Sequence, residues 1–109
     1  MDLHSSPFSL EGSTALITGG GRGIGAACAR ALAAAGAHVC VTSRTETQLQ
    51  ATVRAVEEDG SQAIALPADV GTSEGVGALV QRIEQVWPQG VDILVNNAAI
   101  SPYVKGGEE

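Results

Sequence analysis

The chain has 109 residues, of which 44% are hydrophobic and 17% are charged, and its formal net charge is -6. This length suits a single domain, and the excess of acidic residues disfavours nonspecific binding to nucleic acid or to an anionic membrane. No apolar run reaches the roughly 18 residues of a membrane-spanning helix, and the N-terminus has no basic start followed by an apolar stretch. We therefore expect a cytoplasmic protein.

Four short runs of apolar and β-branched residues predict β-strands. They read STALIT, AHVCVTS, QAIALPA and VDILVNN, and none of them alternates with polar residues. That pattern is typical of parallel strands that are buried on both faces. We expect one domain over residues 13–100, preceded by an N-terminal extension over 1–12 and followed by a C-terminal tail over 101–109.

Helical patterns fill the three intervals between these strands. The first helix is predicted to bury a face that includes Ile24, Ala27, Ala31, Leu32 and Ala35, and to end at Gly36. The second is predicted to bury Leu49, Thr52, Val53 and Val56, with Thr45 and Gln48 spaced as a capping box and Gly60 beyond its end. The third is predicted to bury Val76, Leu79, Val80, Ile83 and Val86, with a Thr72/Ser73 cap and with Gly75 and Gly77 in its first turn. The alternation of strands and helices predicts a parallel sheet with right-handed crossovers.

The stretch TGGGRGIG, Thr18 to Gly25, joins the first strand to the first helix and contains five glycines. Glycines there let the backbone approach a ligand closely, and the N–H groups and dipole at the start of a helix favour a phosphate. An NTPase phosphate loop requires Lys and then Ser or Thr at its end, whereas Gly25 is followed by Ala26 and Ala27. This leaves a dinucleotide site or a methyltransferase-like site, because Gly21, Gly23 and Gly25 also form GxGxG.

At this point the sequence resembles the short-chain dehydrogenases/reductases. TGGGRGIG fits their TGxxxGxG signature, and NNAA, Asn96 to Ala99, resembles their NNAG signature at the end of the fourth strand. The segment ADV, Ala68 to Val70, carries an Asp where the family has one. The resemblance implies an α/β fold, a Rossmann-like doubly wound parallel sheet with strand order 3-2-1-4, which is truncated here after the fourth strand. It makes a methyltransferase a minor alternative.

The resemblance also implies a cofactor site for a nicotinamide dinucleotide. Gly19, Gly23 and Gly25 would form the turn under the pyrophosphate, and Ile24 would lie beside the cofactor. Asp69 would accept from the adenine amino group with help from the Val70 backbone, although it could instead bind only turn amides. Asn96 and Ala98 would line the pocket near the nicotinamide ribose. The expected cofactor-binding set is Gly19, Gly21, Arg22, Gly23, Ile24, Gly25, Ser43, Arg44, Asp69, Val70, Asn96 and Ala98.

Arg22 and Arg44 bear on which nicotinamide cofactor is used. An NAD site prefers an acid shortly after the second strand, where this chain has Ser43 and Arg44 and no carboxylate before Glu46. A guanidinium pairs well with a 2'-phosphate. We therefore expect NADP in preference to NAD, and we expect no metal.

The family's catalytic serine and YxxxK motif lie downstream of the NNAG segment. The one tyrosine, Tyr103, is followed four residues later by Gly107, and Lys105 has the wrong spacing. We assign no catalytic residue within this chain. The resemblance implies hydride transfer to or from a small carbonyl or alcohol substrate by the complete enzyme, with a homo-oligomer expected for a full-length relative. The alternative is a non-catalytic dinucleotide-binding or regulatory fragment.

Overall fold

Strands and helices alternate along residues 9–97, the part of the chain that the computed structural model describes. The elements are β1 (Thr14–Thr18), α1 (Gly23–Ala34), β2 (His38–Thr42), α2 (Glu46–Glu58), β3 (Ala63–Ala65), α3 (Ser73–Val86) and β4 (Ile93–Asn96). This order of elements is the predicted one. The predicted tail over 101–109 lies outside the described residues.

All four strands form one parallel sheet in the order β3-β2-β1-β4, which confirms the predicted doubly wound topology. Thr18 at the end of β1 pairs with Thr42 on one side and with Asn96 on the other. The loops that follow these strands therefore leave the sheet at the same edge. The third strand is shorter than predicted, although Leu66 N and Ala68 N beyond it still donate to the carbonyls of Val41 and Ser43 at 3.0 Å.

The face of the sheet that α1 and α2 cover holds the larger core cluster, and α1 buries a different stripe from the one predicted. Its buried residues are Gly25, Ala29 and Ala33, whereas Ala27 and Ala31 are exposed and Ile24 is 73% exposed. Alanines occur on every side of this helix, so apolar periodicity alone did not identify its buried face. The smallest residues face the strands, which lets the helix axis approach the sheet closely.

The second helix buries three of the four predicted residues and half-buries Val53, but its N-terminus differs from the prediction. Leu49, Thr52 and Val56 are buried, and Gly60 follows the helix with a φ of +91°. Thr45 occupies the N-cap position without a side-chain hydrogen bond to the first turn. The capping-box prediction for Thr45 was therefore wrong.

The third helix covers the opposite face of the sheet only in part. Leu79 and Ile83 are buried with Cys40 of β2, and this burial raises the pKa of the Cys40 thiol to about 12. The three valines of the predicted stripe, Val76, Val80 and Val86, are 42%, 47% and 45% exposed, so their predicted burial was wrong. Leu94 on β4 is 64% exposed. Among residues 9–97, four strands and one helix thus leave apolar surface uncovered on this side. Among residues 9–97, no helix combines the length and the apolar character that crossing a membrane requires.

The first turn of α3 supplies a matched pair of glycine substitutions. A Cβ at Gly77 would have nothing within 4 Å, whereas a Cβ at Gly75 would overlap the Asp69 carbonyl and lie 2.9 Å from Thr72 Oγ1. We expect Gly77→Ala to raise the free energy of unfolding by about 0.5–1 kcal/mol, because alanine loses less backbone entropy in a helix. Gly75→Ala should lower it by about 1–3 kcal/mol through overpacking.

Denaturant unfolding followed by the fluorescence of Trp87, which adjoins the end of α3, measures both changes. Equal effects of the two substitutions would contradict the conclusion that a side chain is crowded at Gly75 and unhindered at Gly77.

Candidate functional site

The loops that follow β1, β2 and β3 enclose a cleft of about 750 Å³ at the carboxyl edge of the sheet. This is the edge at which open α/β sheets bind their ligands. Its volume lies in the ordinary range for small-molecule sites, roughly 300–1,000 Å³. The lining residues are Gly19, Gly21, Arg22, Gly23, Ile24, Ser43, Arg44, Thr45, Gln48, Ala68, Asp69, Val70, Gly71 and Asn97.

The glycines of the β1–α1 turn serve two physical purposes. Gly19 and Gly23 have φ values of +69° and +61°, a conformation that side chains disfavour. Gly25 has an ordinary helical conformation, but a Cβ there would overlap the Gly19 carbonyl and lie 2.9 Å from Asn97 Nδ2. The first pair therefore permits the shape of the turn, and Gly25 permits α1 to start directly against it.

The start of α1 is a helix N-terminus whose N–H groups no side chain caps. Arg22 is the N-cap residue and makes no capping hydrogen bond. The N–H groups of Gly23, Ile24 and Gly25 belong to the first turn and have no carbonyl partner within the helix. By contrast, Thr72 Oγ1 accepts from Gly75 N at 2.9 Å at the start of α3. Of these two helices, α1 is therefore the one whose N-terminal N–H groups are left available to an acceptor in the cleft.

The β2–α2 loop lies directly against this glycine turn. A Cβ at Gly21 would be 2.9 Å from Gln48 Cβ and 3.3 Å from Ser43 Oγ. Ser43 Oγ in turn accepts from Thr45 N at 3.3 Å, which fixes the side chain at the entrance to α2. The absence of a side chain at Gly21 therefore lets the two loops share one wall of the cleft.

Arg22 and Arg44 place two guanidinium groups in the lining of the cleft, and both residues are exposed. The ion pair found within residues 9–97 joins Arg30 to Asp59 at 2.8 Å, so neither cleft arginine is paired with a described carboxylate. The Arg30 guanidinium holds the pKa of Asp59 below its usual range. Arg22 and Arg44 remain able to bind an anion at the cleft.

The β3–α3 loop forms the opposite wall, and its own contacts hold it in place. Asp69 Oδ1 accepts from Gly71 N at 2.9 Å, and Arg82 Nη1 donates to the Pro67 carbonyl at 3.0 Å. One carboxylate oxygen of Asp69 thus accepts from a turn amide, which is the structural alternative given for this residue in the sequence analysis. Asp69 also lines the cleft. Within the described part of the chain, no three His, Cys, Asp or Glu side chains converge on a metal-binding position.

The two asparagines at the end of β4 point in different directions, and the predicted one lies away from the cleft. Asn96 Oδ1 accepts from Thr18 Oγ1 at 3.0 Å, and Asn96 does not line the cleft. Asn97 does line it, with Nδ2 donating to the Gly19 carbonyl at 3.5 Å. Successive residues of a strand face opposite sides, so the choice between neighbours depends on the register, which the sequence did not provide. Ala98, the other predicted residue here, lies outside the described residues.

Nine of the twelve predicted residues line the cleft: Gly19, Gly21, Arg22, Gly23, Ile24, Ser43, Arg44, Asp69 and Val70. Gly25 is buried behind the turn and acts by permitting close packing. Sequence reasoning missed Thr45, Gln48, Ala68, Gly71 and Asn97, which also line the cleft. Four of these five flank residues that it did choose, and Gln48 lies in the first turn of α2, four positions after Arg44.

Together these features define a Rossmann-like fold with a cleft, lined by two arginines, at the carboxyl edge of its sheet. A family model described as short chain dehydrogenase matches residues 13–108. The chain belongs to the short-chain dehydrogenase/reductase family, whose members are oxidoreductases.

Individual relatives agree with this membership. The chain is 42% identical over 92 residues to ketoacyl reductase HetN of Nostoc sp., covering 84% of this chain and 32% of HetN. It is 43% identical over 91 residues to the short-chain dehydrogenase/reductase homolog YusS of Bacillus subtilis, covering 83% of each.

A solved structure with a bound dinucleotide is also similar. A 3-oxoacyl (acyl-carrier-protein) reductase from Agrobacterium tumefaciens, with NADP bound, has a TM-score of 0.77 at 41% identity and is matched over 85% of this chain and 35% of its own. The chain spans about a third of the length of most of the relatives it matches.

The different purposes of the glycines predict different costs of substitution. We expect Gly25→Ala to lower the free energy of unfolding by about 2–3 kcal/mol, because its methyl group must displace backbone atoms of the turn. Gly23→Ala should cost about 1 kcal/mol, since it meets open space and bears only the conformational strain.

Chemical denaturation of the two variants beside the unsubstituted chain measures these costs. A Gly25→Ala variant as stable as the original chain would show that α1 does not need this close approach.

Proposed function

We propose that this cleft binds NADP(H) and that the chain forms the cofactor-binding part of a short-chain oxidoreductase. One observation carries the proposal: in an otherwise acidic chain, the uncapped N-terminus of α1 and two arginines that no described carboxylate pairs face the same cleft. A dinucleotide with a 2'-phosphate presents anionic groups to both features.

The diphosphate of the dinucleotide would lie against the start of α1. The N–H groups of its first turn donate to phosphate oxygens, and the helix dipole adds positive potential there. Gly19 and Gly23 shape the turn, and Gly25 lets the helix begin beside it. Because these groups are main-chain atoms, this part of the site would hold NAD and NADP equally.

The 2'-phosphate would distinguish the two cofactors at the β2–α2 loop. Ser43, Arg44 and Arg22 line this part of the cleft, and the first carboxylate after β2 is Glu46, in the first turn of α2. No acid therefore occupies the position from which it would share the ribose hydroxyls and repel a 2'-phosphate. The similar reductase from Agrobacterium tumefaciens is a structure with NADP bound.

The adenine and the nicotinamide ends would contact the other two loops. Asp69 and Val70 line the wall formed after β3, where an adenine amino group can donate to a carboxylate. Asn97 faces the cleft at the end of β4, and we assign to it the pocket-lining role that the sequence suggested for Asn96. Asn96 instead contributes to ordering the strand ends through its bond to Thr18.

The reaction proposed for the complete enzyme is hydride transfer between the nicotinamide and the carbon of a small carbonyl or alcohol substrate. The residues of this chain bind and orient the cofactor for that step. The serine, tyrosine and lysine that would handle the substrate proton are not among the residues we assign. In the sequence, position 107 holds glycine where Tyr103 would need its lysine.

A second candidate is a dinucleotide-binding protein that does not catalyse the reaction. The similarity to YusS favours this candidate, because the matched region makes up 83% of YusS and so leaves little of that relative outside it. Oxidation of NADPH in the presence of aldehydes and ketones distinguishes the two candidates, since only an enzyme would turn over.

The arginine assignment predicts a change in cofactor preference. We expect Arg22→Ala and Arg44→Ala each to weaken NADPH binding by about tenfold or more, because hydrogen bonds to a charged group contribute about 1.5–3 kcal/mol. NADH binding should change much less, since it lacks the 2'-phosphate. Isothermal titration calorimetry with both cofactors measures the ratio.

Arg54→Ala is the matched control, because Arg54 is exposed on α2 and does not line the cleft. It should leave both affinities unchanged. An unaltered NADPH to NADH ratio in the Arg22 and Arg44 variants would refute the 2'-phosphate assignment, and absence of binding by the original chain would refute the cofactor itself.

A further inference from the structure

A buried threonine on α2 contacts the glycine turn from behind. Thr52 is 4% exposed, and its hydroxyl donates a 2.8 Å hydrogen bond to the carbonyl of Gly20. The two residues are 32 positions apart in the chain, so this bond joins α2 to the turn through the fold. Neither Thr52 nor Gly20 lines the cleft.

Gly20 is held on its other side by β2. The N–H groups of Gly19 and Gly20 donate to the Thr42 carbonyl at 2.8 and 3.3 Å. A Cβ at Gly20 would lie 2.7 Å from Val41 Cβ, so the turn rests closely on the strand. Hydrogen bonds thereby fix both the N–H and the carbonyl of Gly20.

The carbonyl of Gly20 and the N–H of Gly21 belong to the same peptide group. That group is planar and trans, so its C=O and N–H point in opposite directions. The Gly20 carbonyl points towards Thr52 in the interior, and the Gly21 N–H therefore points away from α2's buried side. Gly21 itself lines the cleft.

We infer that Thr52 is a positioning residue for the dinucleotide site: by binding the Gly20 carbonyl, it orients the glycine turn that receives the diphosphate. The ligand's identity in this inference rests on the proposed function. Loss of the hydroxyl leaves a buried carbonyl without its donor, and the cost of that unmade hydrogen bond favours a turn conformation in which the carbonyl has another partner. The Gly21 N–H would rotate with it, while Arg22 and Arg44 would keep their charges.

Three variants and three ligands test this role. Thr52→Val removes the hydroxyl at nearly constant shape, Thr52→Ser retains it, and Thr47→Val is the control at an exposed threonine of the same helix. The probes are NADPH, NADH and adenosine 2'-monophosphate, which carries the 2'-phosphate without the diphosphate. Calorimetry on the full chain gives the affinities, and circular dichroism reports whether each variant is folded.

Thr52→Val should weaken NADPH and NADH by the same factor, about tenfold, because the diphosphate is common to both. Its affinity for adenosine 2'-monophosphate should stay unchanged. Thr52→Ser should restore dinucleotide binding, and Thr47→Val should match the original chain. A general loss of structure would not separate the ligands in this way.

Several results would overturn the inference. These are dinucleotide binding by Thr52→Val at the original affinity, an equal loss of adenosine 2'-monophosphate, failure of Thr52→Ser to restore binding, or an unfolded Thr52→Val variant.

A second readout separates this inference from the proposed function. The amide NMR signal of Gly21, without ligand, should shift in Thr52→Val and return in Thr52→Ser. If the original chain binds neither dinucleotide, the proposed function fails, and an unshifted Gly21 signal independently rejects the orienting role.

Discussion

The close contact between the start of α1 and the peptide that leaves β1 is the constraint on which the site depends. Gly25 allows this contact, because any side chain there would overlap the Gly19 carbonyl. The contact brings the uncapped first turn of α1 to the carboxyl edge of the sheet, where the other two loops also end. If α1 began further from the strand, its N–H groups would no longer share the cleft with Ser43 and Arg44.

The second strand and helix support this turn from two directions. The Thr42 carbonyl receives the N–H groups of Gly19 and Gly20, and the Thr52 hydroxyl donates to the Gly20 carbonyl. The same strand and helix are joined by the loop that carries Arg44. This strand and helix therefore both support the turn proposed to bind the diphosphate and present the group proposed to bind the 2'-phosphate, so the spacing between these two proposed subsites follows from the fold.

The sequence predicted the parts of this arrangement that depend on local pattern. Strand order, helix order and nine cleft residues followed from apolar runs, glycine spacing and the recognised signature segments. It failed where the outcome depends on which side of an element faces the core. The alanine-rich α1 offered no unique apolar face, and the choice between Asn96 and Asn97 required the strand register. Thr52 was assigned to the core because its spacing fits the buried face of α2, but its bond to Gly20 is a tertiary contact that no spacing rule encodes.

Local placement of charge, and not net charge, governs what this cleft can bind. The chain carries a net charge of -6, which would repel an anionic dinucleotide at long range. At physiological ionic strength such repulsion is screened beyond about 8 Å. Within that distance the cleft presents Arg22, Arg44 and the α1 N-terminus, whereas Arg30 is already paired with Asp59. The acidic surface thus limits nonspecific association with polyanions, while the arginines in the cleft remain available to a ligand whose phosphates match their positions.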